Sequence, residues 1–305
     1  MEPKCNLIID SCCDLPIDLI PDNVTVLNYS YILDGITYSD DFFQSVSVKE
    51  FYDTMRAGAT PTTSQISPAV LEEAFRKGCE SGLPTVYFSM SSGISSNAES
   101  AAMIAAMVKE DYPEAGLYVV DTLLGCTPEG VLDFELMRLF SKGFSAQQLV
   151  EWAKEARFHV NTLFMVDDLN ALHRGGRLPK SVATVGDALN VKPLLNFSTD
   201  GTLGLVGVAR GRKKGIKQMA QFFKENYDVN SKFVLIGNAD CPEEAEKLRK
   251  EILSIDPAAN VFVHTIGTTI GCHVGADMIS ISFWGEDRRK AMSVADRIAA
   301  KVKGM

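Results

Sequence analysis

From Asn6 to Val120, short apolar runs alternate with helical patterns, and no other feature narrows the possible folds of this chain so far. A run buried on both faces reads as continuously apolar, and a helix between two runs lets them lie parallel in one sheet. Strands are predicted over 7–10, 24–27 with a continuation near Ile32, 85–90 and 117–121. Helices are predicted over 48–57, 68–81, 98–112, 128–142 and 146–158. Several helix starts are spelled out: Ser67-Pro68 and Thr127-Pro128 put a hydroxyl at the cap and Pro at the first helical position, and Ser145 to Gln148 fits a capping box.

After about Val160 the pattern changes. Strands are predicted over 162–166, 194–197, 203–208, 233–237 and 261–265, with a hairpin turning at Asp200-Gly201. Helices are expected over 213–226, over 242–254 with a capping box from Asp240 to Glu243, and over 286–302. The fold class expected is α/β in two domains: a parallel-sheet, Rossmann-like α/β/α domain over 1–160 and a mixed-sheet α/β domain over 161–305.

In a parallel sheet, ligands sit beyond the carboxyl ends of the strands, and this chain concentrates hydroxyls there. Asp10-Ser11 follows the first strand, Asp121-Thr122 the fourth, and Thr62-Thr63-Ser64-Gln65 precedes the helix at Pro68. The densest group is Ser91-Ser92-Gly93-Ile94-Ser95-Ser96-Asn97, where strand passes to helix. Free N–H groups and the positive end of the helix dipole favour an anion there. Ser96 to Glu99 fits a capping box, which makes Ser96 structural and leaves Ser91, Ser92 and Ser95 for a carboxylate or phosphate. A loop that merely favours serine would give the same letters.

Composition excludes several functions. No stretch approaches the ~20 apolar residues of a membrane span, and the N-terminus lacks the apolar core of a secretory signal, so a cytoplasmic protein is expected. A net charge of −9 argues against broad nucleic-acid binding. Seven cysteines without framework spacing read as reduced thiols, and four histidines outside any ligand-spaced motif predict no metal. Positive charge gathers at Arg174, Arg177, Lys180, Lys192, Arg210, Arg212, Lys213 and Lys214, which suits an anionic ligand or acidic partner, or else a solvated face. Ser89 to Gly93 lacks the Gly-x-Ser-x-Gly of a nucleophile elbow, and no Gly-rich loop follows the first strand. Arg174-Gly175-Gly176-Arg177 reads as a bend presenting two guanidinium groups, as a helix C-cap, or as both. His273, within Gly271-Cys272-His273-Val274-Gly275, is the one titratable group of its loop.

Asp10-Ser11-Cys12-Cys13-Asp14-Leu15-Pro16, Thr62-Thr63-Ser64-Gln65, Ser91-Ser92-Gly93-Ile94-Ser95, Arg174-Gly175-Gly176-Arg177, Lys192-Pro193 and Gly271 to Gly275 together resemble the DegV family, in order and over nearly the whole chain. The resemblance implies a carrier that buries one long-chain fatty acid in an apolar tunnel and needs no cofactor. On this chain Thr63 and Ser95 would touch the carboxylate, with Ser64 and Ser92 in support and His273 in the hydrogen-bond network. Such a site would hold the carboxylate without a buried cation and leave an oxygen able to attack a phosphate. The resemblance also implies a separate fatty acid kinase subunit as partner, faced by Arg174 and Arg177, and transient contact with a membrane surface. Two departures stand out: Ser95-Ser96-Asn97 replaces the family's Ser-Gly-Thr, and Gly275-Ala276-Asp277 replaces its Gly-Pro-Gly after the histidine. The alternative is an enzyme in its own right, an acyl- or phosphoryl-transferase or hydrolase using the Ser cluster and His273.

Overall fold

The computed structural model describes residues 3–167, 169–180 and 190–291. Four strands, β1 (Asn6–Asp10), β2 (Val24–Leu27), β6 (Thr85–Ser89) and β7 (Leu117–Asp121), form an all-parallel sheet in the order β2-β1-β6-β7. The order reverses at β1, so the loops after β1 and β6 flank the crevice at which such sheets take ligands. The continuation expected near Ile32 is instead a separate small antiparallel sheet. In it β3 (Ser30–Leu33) pairs with β4 (Ile36–Ser39) and with β5 (Thr62–Ser64), placing Thr63 opposite Tyr31.

The second sheet is mixed and six-stranded. It comprises β8 (Val160–Met165), β9 (Val191–Phe197), β10 (Leu203–Arg210), β11 (Phe233–Asn238), β12 (Asn260–Thr265) and β13 (Ile279–Trp284). The order is β10-β9-β8-β13-β11-β12, antiparallel throughout except for β11 beside β12. The hairpin at Asp200-Gly201 is as read, with Gly201 at φ +80. Strand β13 escaped the sequence reading, although it sits between β8 and β11.

The helices are α1 (Val48–Arg56), α2 (Pro68–Glu80), α3 (Asn97–Asp111), α4 (Thr127–Ser141), α5 (Ala146–Ala156), α6 (Asn170–Arg174), α7 (Arg212–Asn226), α8 (Pro242–Ile255) and α9 (Thr268–Val274). Ser67 caps α2 and the Ser145–Gln148 box closes on α5, as the sequence indicated. Three cap assignments need correction. Cys126, not Thr127, is the N-cap of α4, and Thr127 turns its hydroxyl toward β13. Cys241 precedes α8 without a side-chain cap, while Asn238 accepts its N–H and Asp240 is drawn to Arg56. Ser96 makes no cap bond either: its ψ of 10° is far from the extended conformation that lets a cap hydroxyl reach the third N–H. Of the helix expected over 286–302, a 3-10 turn at Arg288–Ala291 is described and the rest lies outside the described residues.

Helix α4 lies between the two sheets, packing on β8, β11 and β13 on one side and on β1 and its following turn on the other. Leu7, Phe88 and Leu132 therefore share one core with Leu235 and Phe197. Glu129 and Asp133, one turn apart on α4, are fully buried and have no hydrogen-bond partner among the described residues. No helix among them is long and apolar enough to cross a membrane.

Candidate functional site

The hydroxyl-bearing loops do converge, though only some of their hydroxyls point inward. A cavity of about 200 Å³ lies between the crevice of the parallel sheet, α9 and the six-stranded sheet. One water needs only about 10–15 Å³ of such space, so this one has room for a ligand of many atoms. Its wall is largely apolar, with Met90, Ile94, Leu172, Phe164, Ile270 and Met278 among the lining residues.

Thr63, Ser64, Ser95 and His273 all line it. Thr63 Oγ1 is 2.8 Å from His273 Nε2, which joins the small sheet to α9 across 210 positions. Ser95 Oγ accepts the N–H of Asn97 at 3.2 Å and lies 3.3 Å from the hydroxyl of Tyr29. Ser96 and Gln65 are exposed where they border the cavity, marking its mouth. Ser92 is not brought there: its hydroxyl and its N–H both go to Asp121, at 2.5 and 3.2 Å. Ser91 is committed as well, donating to the carbonyl of Gly201 at 2.8 Å. The two turns touch so closely that a Cβ on Gly93 would run into the backbone of Gly201.

Helix α9 is short, and its position is fixed from outside. Asp14 accepts the N–H of Gly267 at 2.6 Å, and Asp40 accepts the N–H groups of Thr268 and Thr269 at 3.2 Å each and the Thr268 hydroxyl at 2.9 Å. Two buried carboxyl groups thus satisfy the helix start. The Tyr52 hydroxyl donates to the carbonyl of Ile266 at 2.7 Å. Sequence reading missed Asp14, Asp40 and Tyr52 in this role because their partners lie more than 200 residues away. Tyr29 was missed for a related reason, being a core residue by type that lines the cavity and meets Ser95 through its hydroxyl.

The electrostatics are those of a desolvated site. Burial, aided by the Arg177 charge, lowers the His273 pKa to about 4, so the ring is neutral near pH 7. Its Nδ1 has no hydrogen-bond partner among the described residues, and a Cβ on Gly175 would overlap that atom. Arg177 lines the cavity, held by bonds from Nε to the Ile94 carbonyl at 2.8 Å and from Nη1 to the Gly175 carbonyl at 2.5 Å. A half-buried cation thus borders the cavity, because the Gly175-Gly176 bend, with Gly176 at φ +74, swings Arg177 inward. Arg174 is exposed beside a surface depression that shares Val274 with the cavity wall. The positive patch is also interrupted: Lys192 and Arg212 both pair with Asp167, and Arg212 pairs with Glu244.

A His/carboxylate group at Glu155, His159 and Asp287 sits well apart from the cavity, and Arg289 pairs with both carboxylates. All seven cysteines are free.

A family model described as "Uncharacterised protein, DegV family" matches residues 4–286. A DegV domain-containing protein of Clostridium perfringens is 30% identical over 284 residues, covering 92% of this chain and 98% of its own. The chain belongs to the DegV family. A fatty acid (stearic acid)-binding protein from Eubacterium ventriosum has a similar structure, with a TM-score of 0.79, 26% identity, and coverage of 94% of this chain and 100% of its own. The Fatty Acid Kinase (Fak) B3 protein of Streptococcus pneumoniae, solved loaded with linoleic acid, has a TM-score of 0.80 at 22% identity over 92% of this chain and 99% of its own.

Both departures of this DegV chain have structural employment. Asn97, where the family has Thr, donates to the Tyr87 hydroxyl at 2.7 Å and to Ser89 Oγ at 3.0 Å, joining the start of α3 to β6. Asp277, at φ +65, takes a 2.8 Å bond from Arg56 and so ties the loop after α9 to α1.

Proposed function

We propose that this DegV protein binds one long-chain fatty acid in the cavity and presents its carboxylate to a separate kinase subunit, which forms an acyl phosphate. The observation that carries this reading is the apolar wall ending at Thr63, Ser64, Ser95 and His273, close to an exposed mouth. Removing a C16 chain from water is worth on the order of 10 kcal/mol at ~0.8 kcal/mol per methylene. The apolar wall then supplies affinity, and the polar groups fix the head. Thr63 and Ser95 donate to the carboxylate, Ser64 supports them, and neutral His273 orients Thr63. Ser92 drops out of this set because Asp121 holds it.

Arg177 supplies one positive charge, with two of its donors already spent on carbonyls, so it attracts the carboxylate without clamping both oxygens. Arg174, outside the mouth, faces the kinase subunit. The protein itself is then a non-catalytic carrier without a cofactor, working in the cytoplasm, where seven free thiols stay reduced. Residues 1–160 and 161–305 form the two lobes that enclose the ligand.

The test is lipid extraction and mass spectrometry of the purified protein. About one fatty acid per chain is expected, and a protein that carries none and takes up none ends the proposal. The Thr63–His273 contact favours a second reading, a hydroxyl nucleophile with a histidine base. Against it, His273 Nδ1 lacks, among the described residues, the third group that would orient the base. Hydrolysis of acyl esters by wild type but not by Thr63→Ala would restore it.

A further inference from the structure

The cavity has a second polar wall that the head-group site leaves unused. Thr127 at the start of α4, Thr162 on β8 and Ser280 on β13 all line it, and each is almost fully buried. Strand β13 alternates Ile279, Ile281 and Phe283 with Ser280 and Ser282, although both of its faces are covered. A strand so placed usually reads as apolar throughout. One face of this one is hydroxyl.

The direction of every hydrogen bond in the wall follows from a single carbonyl. Thr162 Oγ1 lies 3.1 Å from the oxygen of Ile281 and 2.9 Å from Ser282 Oγ, and only with its proton on the Ile281 oxygen do all four hydroxyl protons of the wall find acceptors within it. Ser282, 2.9 Å from Thr162, must then donate to it. By the same step Thr127 donates to Ser282 at 2.8 Å, and Ser280 donates to Thr127 at 2.9 Å. Ser280 accepts the N–H of Gly237 at 3.2 Å. All four protons are committed within the wall, and its three cavity-lining hydroxyls offer the cavity only lone pairs. Pro128, the next lining residue, brings no N–H.

Such a wall discriminates. A carboxylate, ketone or epoxide oxygen meets repulsion there, and a plain methylene leaves the lone pairs without a partner once water is displaced. An O–H group can donate. Resting on the reading of the cavity as a fatty-acid site, we propose that its preferred ligand is a hydroxy fatty acid whose hydroxyl donates into the Thr127–Thr162–Ser280 wall. The same polarity sets the direction of binding, because the carboxylate is refused at this wall and accepted at Thr63 and Ser95.

The test is calorimetric titration of the delipidated protein with octadecanoic and 12-hydroxyoctadecanoic acids, and with hexadecanoic and 16-hydroxyhexadecanoic acids. One added hydrogen bond corresponds to about tenfold in affinity. At least one hydroxy acid is therefore expected to bind about tenfold tighter than its parent. In Thr127→Val and in Thr162→Val that ratio should fall below about threefold, the ratio being taken within each variant after circular dichroism has established its fold. Two variants guard against one that fails to fold. Hydroxy acids that bind no tighter than their parents, or a preference that survives both substitutions, overturn this proposal and leave the carrier reading standing. Failure of all four acids to bind overturns both.

Discussion

Around Thr63 polar side chains line a cavity, whereas Glu129 and Asp133 are enclosed by protein. Both regions lie against the parallel sheet, and both contain buried polar atoms without a hydrogen-bond partner among the described residues: His273 Nδ1, which lies against Gly175, in the first, and all four carboxyl oxygens of Glu129 and Asp133 in the second. Neither acid lines the cavity. Their pH behaviour has opposite sign. Burial and the nearby Asp10 raise the Glu129 and Asp133 pKa values well above the ordinary carboxylate range, and burial raises Asp10 itself to about 7. The folded chain there holds protons that the unfolded chain releases above about pH 4, so this region loses stability as pH rises from about 4 through 7. His273 is depressed to about 4, so the stability it lends is present above about 6.5 and lost as pH falls toward 4. A hydroxyl at a cavity wall can be satisfied by a ligand; a carboxyl enclosed by protein can only change its protonation.

The sharpest way to break this comparison is Glu129→Gln with Asp133→Asn. Relative to wild type, the double variant should gain about 2–4 kcal/mol in urea unfolding between pH 5 and pH 8, and a constant difference would mean that these groups are not protonated in the fold. Next in size, Thr63→Ala and Ser95→Ala should each cost about 1.5–3 kcal/mol of fatty-acid affinity, read by calorimetry, as expected for a lost bond to a charged group. A smaller effect belongs to His273→Gln, which should become more stable than wild type by about 1–2 kcal/mol as pH is lowered from 6.5 to 4.5. Smallest of all, Ser92→Ala should cost about 1 kcal/mol of stability through the lost Asp121 bond while changing fatty-acid affinity less than about twofold. A tenfold loss of affinity there would return Ser92 to the binding set.

What could be read in advance divides along the same physical line. Period and punctuation revealed the parallel sheet, the mixed sheet and most helices, because burial of one face imposes a pattern on neighbouring letters. Thr63, Ser95 and His273 each stood among the candidates of their own loops, and only the resemblance put them together. Ser92 and Ser95 could not be told apart by type, since the difference lies in which one Asp121 captures. Ser96 satisfied the letter pattern of a capping box, yet its backbone left the helix start without that bond. Strand β13 went unread although Ile279 to Phe283 carries the alternation of a strand, and its serine face, which such a pattern assigns to solvent, here meets α4.

The anchoring of α9 bears on modularity. Asp14, Asp40 and Tyr52, all in the first fifth of the chain, hold the start of a helix near its far end. A fragment beginning at residue 161 would present that helix with bare N–H groups and His273 without Thr63. The halves are therefore not interchangeable parts, and a chimaera exchanging one of them between relatives should work only if the donor supplies matching carboxyl groups ahead of its own first helix.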